Sequence, residues 1–340
     1  MSKIVSFGEI MLRLNPEGYR RFYQANQMEV SYAGSEANVA VQLALLGHHS
    51  VFVSKAPTHE IGQCAVNALR HFGVDTSAMV RGGQRLGVYF VEKGASQRGS
   101  KVIYDRANSA IALASRSDFD WDRILDGADW FHWTGITPAL GGDLPEITLD
   151  ALKVCRKKGI TVSCDLNYRG KLWSRERACE VMSQLVPYVD VLIANEEDAK
   201  DVFGIEAADT DIMSGKLNKA GYESVARQLT ERFGCKAIAI TLRGSISASE
   251  NNWAGMLYTG GKAYLSKNYL IRIVDRVGGG DSFGGGLIHA LRKGMAPQDV
   301  IEFAVAASCL KQTIEHDFNL VSEQEVLALA GGNASGRVQR

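Results

Sequence analysis

The sequence predicts an α/β protein: a central, mostly parallel sheet with helices on both faces and a small extra β layer. Three observations carry that expectation. Short β-rich apolar runs alternate with segments of helical period along most of the chain, the pattern of parallel strands joined by helical crossovers. Helical segments close on glycine, as at Gly47, where a left-handed cap is favoured. Two stretches, 14–34 and 85–111, break the rhythm with polar and aromatic alternation, as expected of β-hairpins.

In chain order, KIVSFGEIML reads as the first central strand and SEANVAVQLALLG as a helix. HSVFVSKA is the next strand and IGQCAVNALRHFGV the next helix. The strands DWFHWTGI, ITVSCDLN, DVLIAN and CKAIAITL then alternate with LPEITLDALKVCRKKG, ACEVMSQLVPYV, EEDAKDVFG and YESVARQLTERFG, read as helices. YLIRIVDRV reads as a later strand. SFGGGLIHALRKG reads as a helix with Phe283, Leu287, Ala290 and Leu291 on one face and Gly294 as its stop. The stretches 14–34 and 85–111 either pair as a small second sheet or stand as two surface hairpins. Residues 1–330 are taken as one domain, 206–221 as a polar surface excursion, and 331–340 as a fraying tail.

Bulk composition narrows the function classes. With 340 residues, 46% hydrophobic and 22% charged, the chain can bury a large core. Lys plus Arg and Asp plus Glu both number 38, so no net field favours nucleic acid or an anionic membrane. The start, MSKIVSFGEIMLRL, is too short an apolar run for a signal peptide, and no run is long enough to span a bilayer. Six cysteines without a CxxC pair suggest reduced thiols in a cytoplasmic protein. His48 and His49 have no carboxylate or cysteine at ligand spacing and read as a surface loop.

The stretch DRVGGGDSFGGG, 275–286, carries six glycines and two aspartates. It lies between a strand and a helix, so Gly278, Gly279 and Gly280 leave bare amides at a helix N-terminus, where the dipole favours an anion. It is not a Walker loop, since Gly284 is followed by Gly285 and Gly286 rather than Lys and Ser or Thr. Nor is it a dinucleotide fingerprint, because Phe283 stands where the third glycine belongs. Asp281 would repel a phosphate unless it takes a proton from a hydroxyl while the amides hold the transferring phosphoryl group. On the loop alone, Asp281 is either that base or merely the cap of its helix.

The motif DRVGGGDSFGGGL resembles the C-terminal signature of the ribokinase-like (PfkB) carbohydrate kinases, D-x-V/T-G-A/G-G-D-x-F. AGSEANVAVQLALLG, 33–47, is similar to that family's sugar-binding segment, and the likeness runs in register from VSFGEI to about residue 326. The resemblance implies a ribokinase-like sheet with a small β lid from the two hairpin stretches. It also implies Asp281 as general base and Gly278, Gly279 and Gly280 as the anion hole.

For the acceptor, Gly34 and Asn38 lie where a strand hands over to a helix, although Asn38 would also suit a helix start. Tyr89, Tyr104 and Arg106 come from the second hairpin, and Asp165, Asn167 and Arg169 end a strand. Singly, such residues are often packing or surface. Together, two arginines and two tyrosines would suit a carboxylate-bearing substrate. Within the family, CDLNYR, WTGITPAL and YDRANSA resemble the 2-keto-3-deoxygluconate kinases. That implies Gly34, Tyr89, Tyr104, Arg106 and Arg169 on the keto-acid, its 6-hydroxyl facing Asp281, and Asp317 as a further substrate residue.

For the nucleotide, AIAITLRGSISA is a strand ending in Thr241 and Gly244, by its residues alone an ordinary strand exit, where the resemblance implies ATP binding with Gly278 and Gly280 at the phosphates. Arg243 would either neutralise phosphate charge or stay solvated. NEED, 195–198, corresponds to the family's N-x-x-E. Asn195 matches, and Asp198 stands where glutamate is usual, so its link to Mg²⁺ is expected through water. Mg²⁺ should otherwise be held by phosphate oxygens and waters. The family's monovalent-cation segment is poorly matched near 309–317, which implies no potassium requirement. The expected function is Mg-ATP-dependent phosphorylation of a sugar acid. The rivals are a neutral-sugar kinase of the same fold, a catalytically silent sugar-binding protein and, more distantly, a dinucleotide-dependent oxidoreductase. Exposed lid edges offer a route to a homo-oligomer.

Overall fold

The computed structural model describes residues 3–195, 197–206 and 219–333. Most of the excursion expected at 206–221, and the tail from 334 onward, lie outside the described residues.

A nine-stranded sheet runs Lys262–Leu265, Glu250–Thr259, Ala237–Ser245, Val191–Asn195, Thr161–Asp165, Ala128–Thr134, Lys3–Phe7, His49–Val53. The ninth strand, Tyr269–Arg272, also pairs with Glu250–Thr259. From His49–Val53 through Ala237–Ser245 every neighbouring pair is parallel. Beyond that, hairpin connections make the edge antiparallel.

Both faces are buried, which is why the strands read as near-continuous apolar runs. In Val191–Asn195, Leu192 and Ala194 join the core beneath the helices Leu144–Lys158, Arg175–Leu185 and Lys219–Phe233, while Val191 and Ile193 join the opposite core. That second core lies under Gly279–Arg292 and Pro297–Lys311. Gly286 lets those two helices close together, since a Cβ there would stand 3.0 Å from the Ala307 Cβ. The second half of the glycine-rich stretch thus serves packing. On the expected face of the helix, Phe283, Leu287 and Ala290 are buried and Leu291 is half-buried.

The two hairpin stretches pair into one four-stranded sheet, in the order Glu29–Ala33, Met11–Asn15, Gly87–Glu92, Lys101–Asp105. The first of these strands in the chain begins at Met11, ahead of the expected 14, and residues 16–28 hold no strand, only a turn at 17–20 and the short 3-10 helix Phe22–Gln24. Its buried face carries Met11, Arg13 and Asn15, so polar residues point inward and the alternation inverts. YLIRIVDRV is strand only over Tyr269–Arg272, because Val274 and Asp275 turn away to bond the Gln312 carbonyl. His48 is not a surface-loop residue: it is half-buried, and its Nε2 lies 2.8 Å from Nδ1 of the buried His289.

Candidate active site

The carboxyl ends of the parallel strands open on a cavity of about 340 Å³, the position expected of a ligand site in such sheets. Glu9, Asp165 and Asn195, each at or just past a strand end, line it together with Thr241, where the parallel pairing stops although its own strand runs on to Ser245, beyond the end expected at Thr241 and Gly244. The second sheet contributes Met11, Tyr89 and Tyr104, and the turn before the helix Gly279–Arg292 closes one side.

That turn is shaped by Gly278. It caps the helix at φ 83°, and a Cβ there would lie 2.2 Å from the Asp317 carbonyl oxygen. No other residue fits the conformation and the approach together. The amides of Gly280 and Asp281, in the first turn, have no acceptor within the helix, and both residues line the cavity. Of the three glycines expected to form an anion hole, Gly279 donates its amide to the Arg276 carbonyl at 3.3 Å.

Asp281 lies on the cavity wall. Ser35 Oγ donates to its Oδ1 at 2.5 Å and Asn38 Nδ2 to its Oδ2 at 2.6 Å, both from the first turns of the helix Ser35–Leu45. Asn167 in turn donates to Ser35 Oγ at 3.2 Å. Burial pushes the Asp281 carboxyl above the usual carboxylate range, and the Ser35 and Asn38 bonds partly offset it. The Asp281 carboxylate is therefore oriented by the helix Ser35–Leu45, and no side-chain cap is made at the start of its own helix. Asn38 does accept weakly from the Gly34 amide, at 3.4 Å, but its amide group serves Asp281.

Asp165 and Asp198 sit nearby. Burial, and then the Asp198 charge, push Asp165 well up. Burial likewise raises Asp198, although its two oxygens accept the amides of Tyr168 and Asn195 at 3.1 and 3.0 Å. No group of three or more His, Cys, Asp or Glu among the described residues forms a ready metal cage.

Of the expected site residues, only Gly244 falls outside the cavity lining; it lies one position beyond Arg243 on an edge-paired stretch. Arg106, Tyr89 and Asp317 line the cavity within a network of buried protein bonds. Arg106 is ion-paired to Glu9, which Ser109 also bonds. The Tyr89 hydroxyl donates to Asp317 at 2.9 Å, and Asp317 accepts from the fully buried Arg13 at 2.6 Å. Arg169 is exposed at the cavity and donates to the Tyr168 carbonyl at 3.1 Å.

Several residues were not foreseen. Ser35 was within a quoted motif but not singled out, and Glu9, Glu36, Asn251, Trp253, Arg276 and Gln312 also line the cavity. Arg276 carries a sequence signal in hindsight, one basic residue between the signature's Asp275 and Val277. Burial, and then the nearby Arg243 charge, lower its pKa, an arrangement that an anion would relieve.

With this geometry in place, the comparisons are specific. Residues 1–315 match the pfkB family carbohydrate kinases. The fold superposes on a 2-dehydro-3-deoxygluconokinase of Thermotoga maritima with a TM-score of 0.94 and 52% identity, covering 97% of this chain and 98% of that one. A 2-dehydro-3-deoxygalactonokinase of Haloferax volcanii is 33% identical over 334 residues, 98% of each chain. A 2-dehydro-3-deoxygluconokinase of Bacillus subtilis is 26% identical over 326 residues, 95% of this chain and 94% of the relative. The family match and the full-length similarity agree, and the chain belongs to the pfkB family of carbohydrate kinases.

Proposed function

We propose that this kinase transfers the γ-phosphoryl group of Mg-ATP to the 6-hydroxyl of 2-keto-3-deoxygluconate, the compound also called 2-dehydro-3-deoxygluconate. The observation that carries the reading is Asp281, held at the cavity wall by Ser35 and Asn38 beside the free first-turn amides. The hydroxyl oxygen attacks the γ-phosphorus, its proton passes to the Asp281 carboxylate, and the bond to the ADP oxygen breaks. The amides of Gly280 and Asp281 take up charge on the transferring group, and Arg243 and Arg276 lie on the nucleotide side.

The closely set carboxylates Asp165 and Asp198, both disfavoured as anions, suit a nearby hydrated cation. Bound with the phosphates, Mg²⁺ would supply charge neutralisation, with Asp198 and Asn195 reaching it through water. Arg169 takes the substrate carboxylate, since Arg106 is already neutralised by Glu9. The four-stranded sheet acts as the lid that excludes water during transfer. Its outer strands carry exposed Val30, Ile103 and Tyr104, where a second copy would pair; light scattering that returns a monomer sinks that pairing. The six free cysteines accord with a cytoplasmic setting, and no helix among the described residues is long and apolar enough to cross a membrane.

The test is ADP release with Mg-ATP against 2-keto-3-deoxygluconate, its galacto epimer, gluconate, fructose and ribose in parallel. Turnover confined to the keto-acids is the expected result. A preference for fructose or ribose would overturn the acceptor, and no turnover with any of them would overturn the proposed reaction.

A further inference from the structure

Lys311 ends the helix Pro297–Lys311 and is fully buried, a rare place for an ammonium. Burial lowers its pKa, against the raising pull of Asp275 and Asp317. Its Nζ donates to two backbone carbonyls, those of Asp275 and Ile314, each at 3.2 Å. It does not line the cavity.

The two carbonyls belong to the segments that meet behind the phosphate-side turn. Asp275 opens the run to Gly278, and Ile314 opens the run to Asp317. The amides of Val274 and Asp275 bond the Gln312 carbonyl, and Gly278 packs directly on the Asp317 carbonyl. Ser308, one turn earlier on the same helix, donates to the Gly279 carbonyl at 2.6 Å. The Lys311 ammonium is thus one of a few polar stitches that fix where the first turn of Gly279–Arg292 begins. It is also a charged one, set among Asp275, Asp317, Asp281 and the opposing Arg13.

We propose that Lys311 is a positioning residue for phosphoryl transfer: by clamping the Asp275 and Ile314 carbonyls it holds the Gly280 and Asp281 amides in place. This rests on the kinase reading above. The residue never touches substrate, so its loss should misplace the amides rather than weaken sugar binding. Misplacement by an ångström costs roughly 100-fold in rate.

The experiment compares the parent with Lys311→Ala and Lys311→Gln in steady-state kinetics, thermal melting and hydrogen–deuterium exchange over 274–283. Expected are a fall in kcat of roughly 100-fold for Lys311→Ala, little change in KM for the keto-acid, and faster exchange in that segment. Added n-propylammonium should restore much of the Lys311→Ala rate, and n-propanol should not. Lys311→Gln, which keeps a neutral donor, should melt nearer the parent and still be slow. A parent-like kcat in either folded variant would overturn the proposal, as would equal rescue by propanol. If the parent itself proves inactive, the kinase reading fails, and exchange alone then decides whether Lys311 clamps the turn: an unchanged pattern sinks the clamp.

Discussion

Arg106 lies against Glu9, its Nε 2.8 Å from Glu9 Oε2, with both side chains buried at the cavity edge. Glu9 follows the first central strand and Arg106 follows the last strand of the second sheet, so the pair ties the two sheets together. The two arginines expected to share one task therefore differ. Arg106→Ala should strand a buried carboxylate and destabilise the fold by about 3–5 kcal/mol, read as a lowered melting temperature. Arg169→Ala should leave melting unchanged and raise KM for the keto-acid roughly 10- to 100-fold, the worth of a charged hydrogen bond. An unchanged KM would remove Arg169 from the carboxylate.

Asp281→Asn should lower kcat roughly 100- to 10,000-fold, the range for a lost general base, with keto-acid binding by calorimetry retained. In the parent, burial raises the Asp281 pKa, and the base works only when ionised. Activity should therefore fall as pH drops through a value above the ordinary aspartate range. Ser35→Ala removes a bond that lowers this pKa, so the acid limb of kcat/KM should move to higher pH. A shift in the opposite direction would contradict the assignment.

Glu36 supplies a stability test. It is buried, accepts the hydroxyls of Thr134 and Thr137 at 2.7 and 2.8 Å, and burial raises its pKa from 4.5 to about 7. Its folded pKa exceeds the unfolded one, so the native state holds the proton more tightly. The associated stability is present below the unfolded value and lost as pH rises through about 7. Glu36→Gln keeps an acceptor for both threonines and cannot ionise. It should melt like the parent at low pH and at higher temperature above neutrality; parallel curves would refute the burial argument.

Two glycines of the turn should separate backbone conformation from space. Gly278→Ala must adopt a left-handed φ with its methyl against the Asp317 carbonyl, a strain of about 1–3 kcal/mol before any displacement. A Cβ at Gly280 meets nothing within 4 Å, and alanine there should leave stability equal or better by up to about 1 kcal/mol. Both variants should lose turnover, the first because the turn moves and the second because a methyl enters the phosphoryl space. A fully active Gly280→Ala would place the phosphoryl group elsewhere.

Much of the architecture was legible because it is written in short-range pattern. Two-sided burial makes the strand Val191–Asn195 apolar up to its polar last residue, and helical period marks Gly279–Arg292. The GGGD turn declares itself through glycines that the backbone conformation requires. The second sheet was less legible: its alternation was visible, but Arg13 and Asn15 face inward, so polarity misreports the buried side.

Tertiary structure alone decided the pairings. Arg13 bonds Asp275 and Asp317, 262 and 304 positions away, and nothing local in MLRLN announces a buried guanidinium with two carboxylates. The same holds for Glu9 with Arg106 and for Ser35 with Asp281. A residue type states which bonds it can make, whereas the chain's path through the sheet decides which partner arrives. By itself the sequence determined the kind of fold and the turn at Asp281. Folding decided which charges were neutralised inside the protein and which, like Arg169, were left facing the cavity.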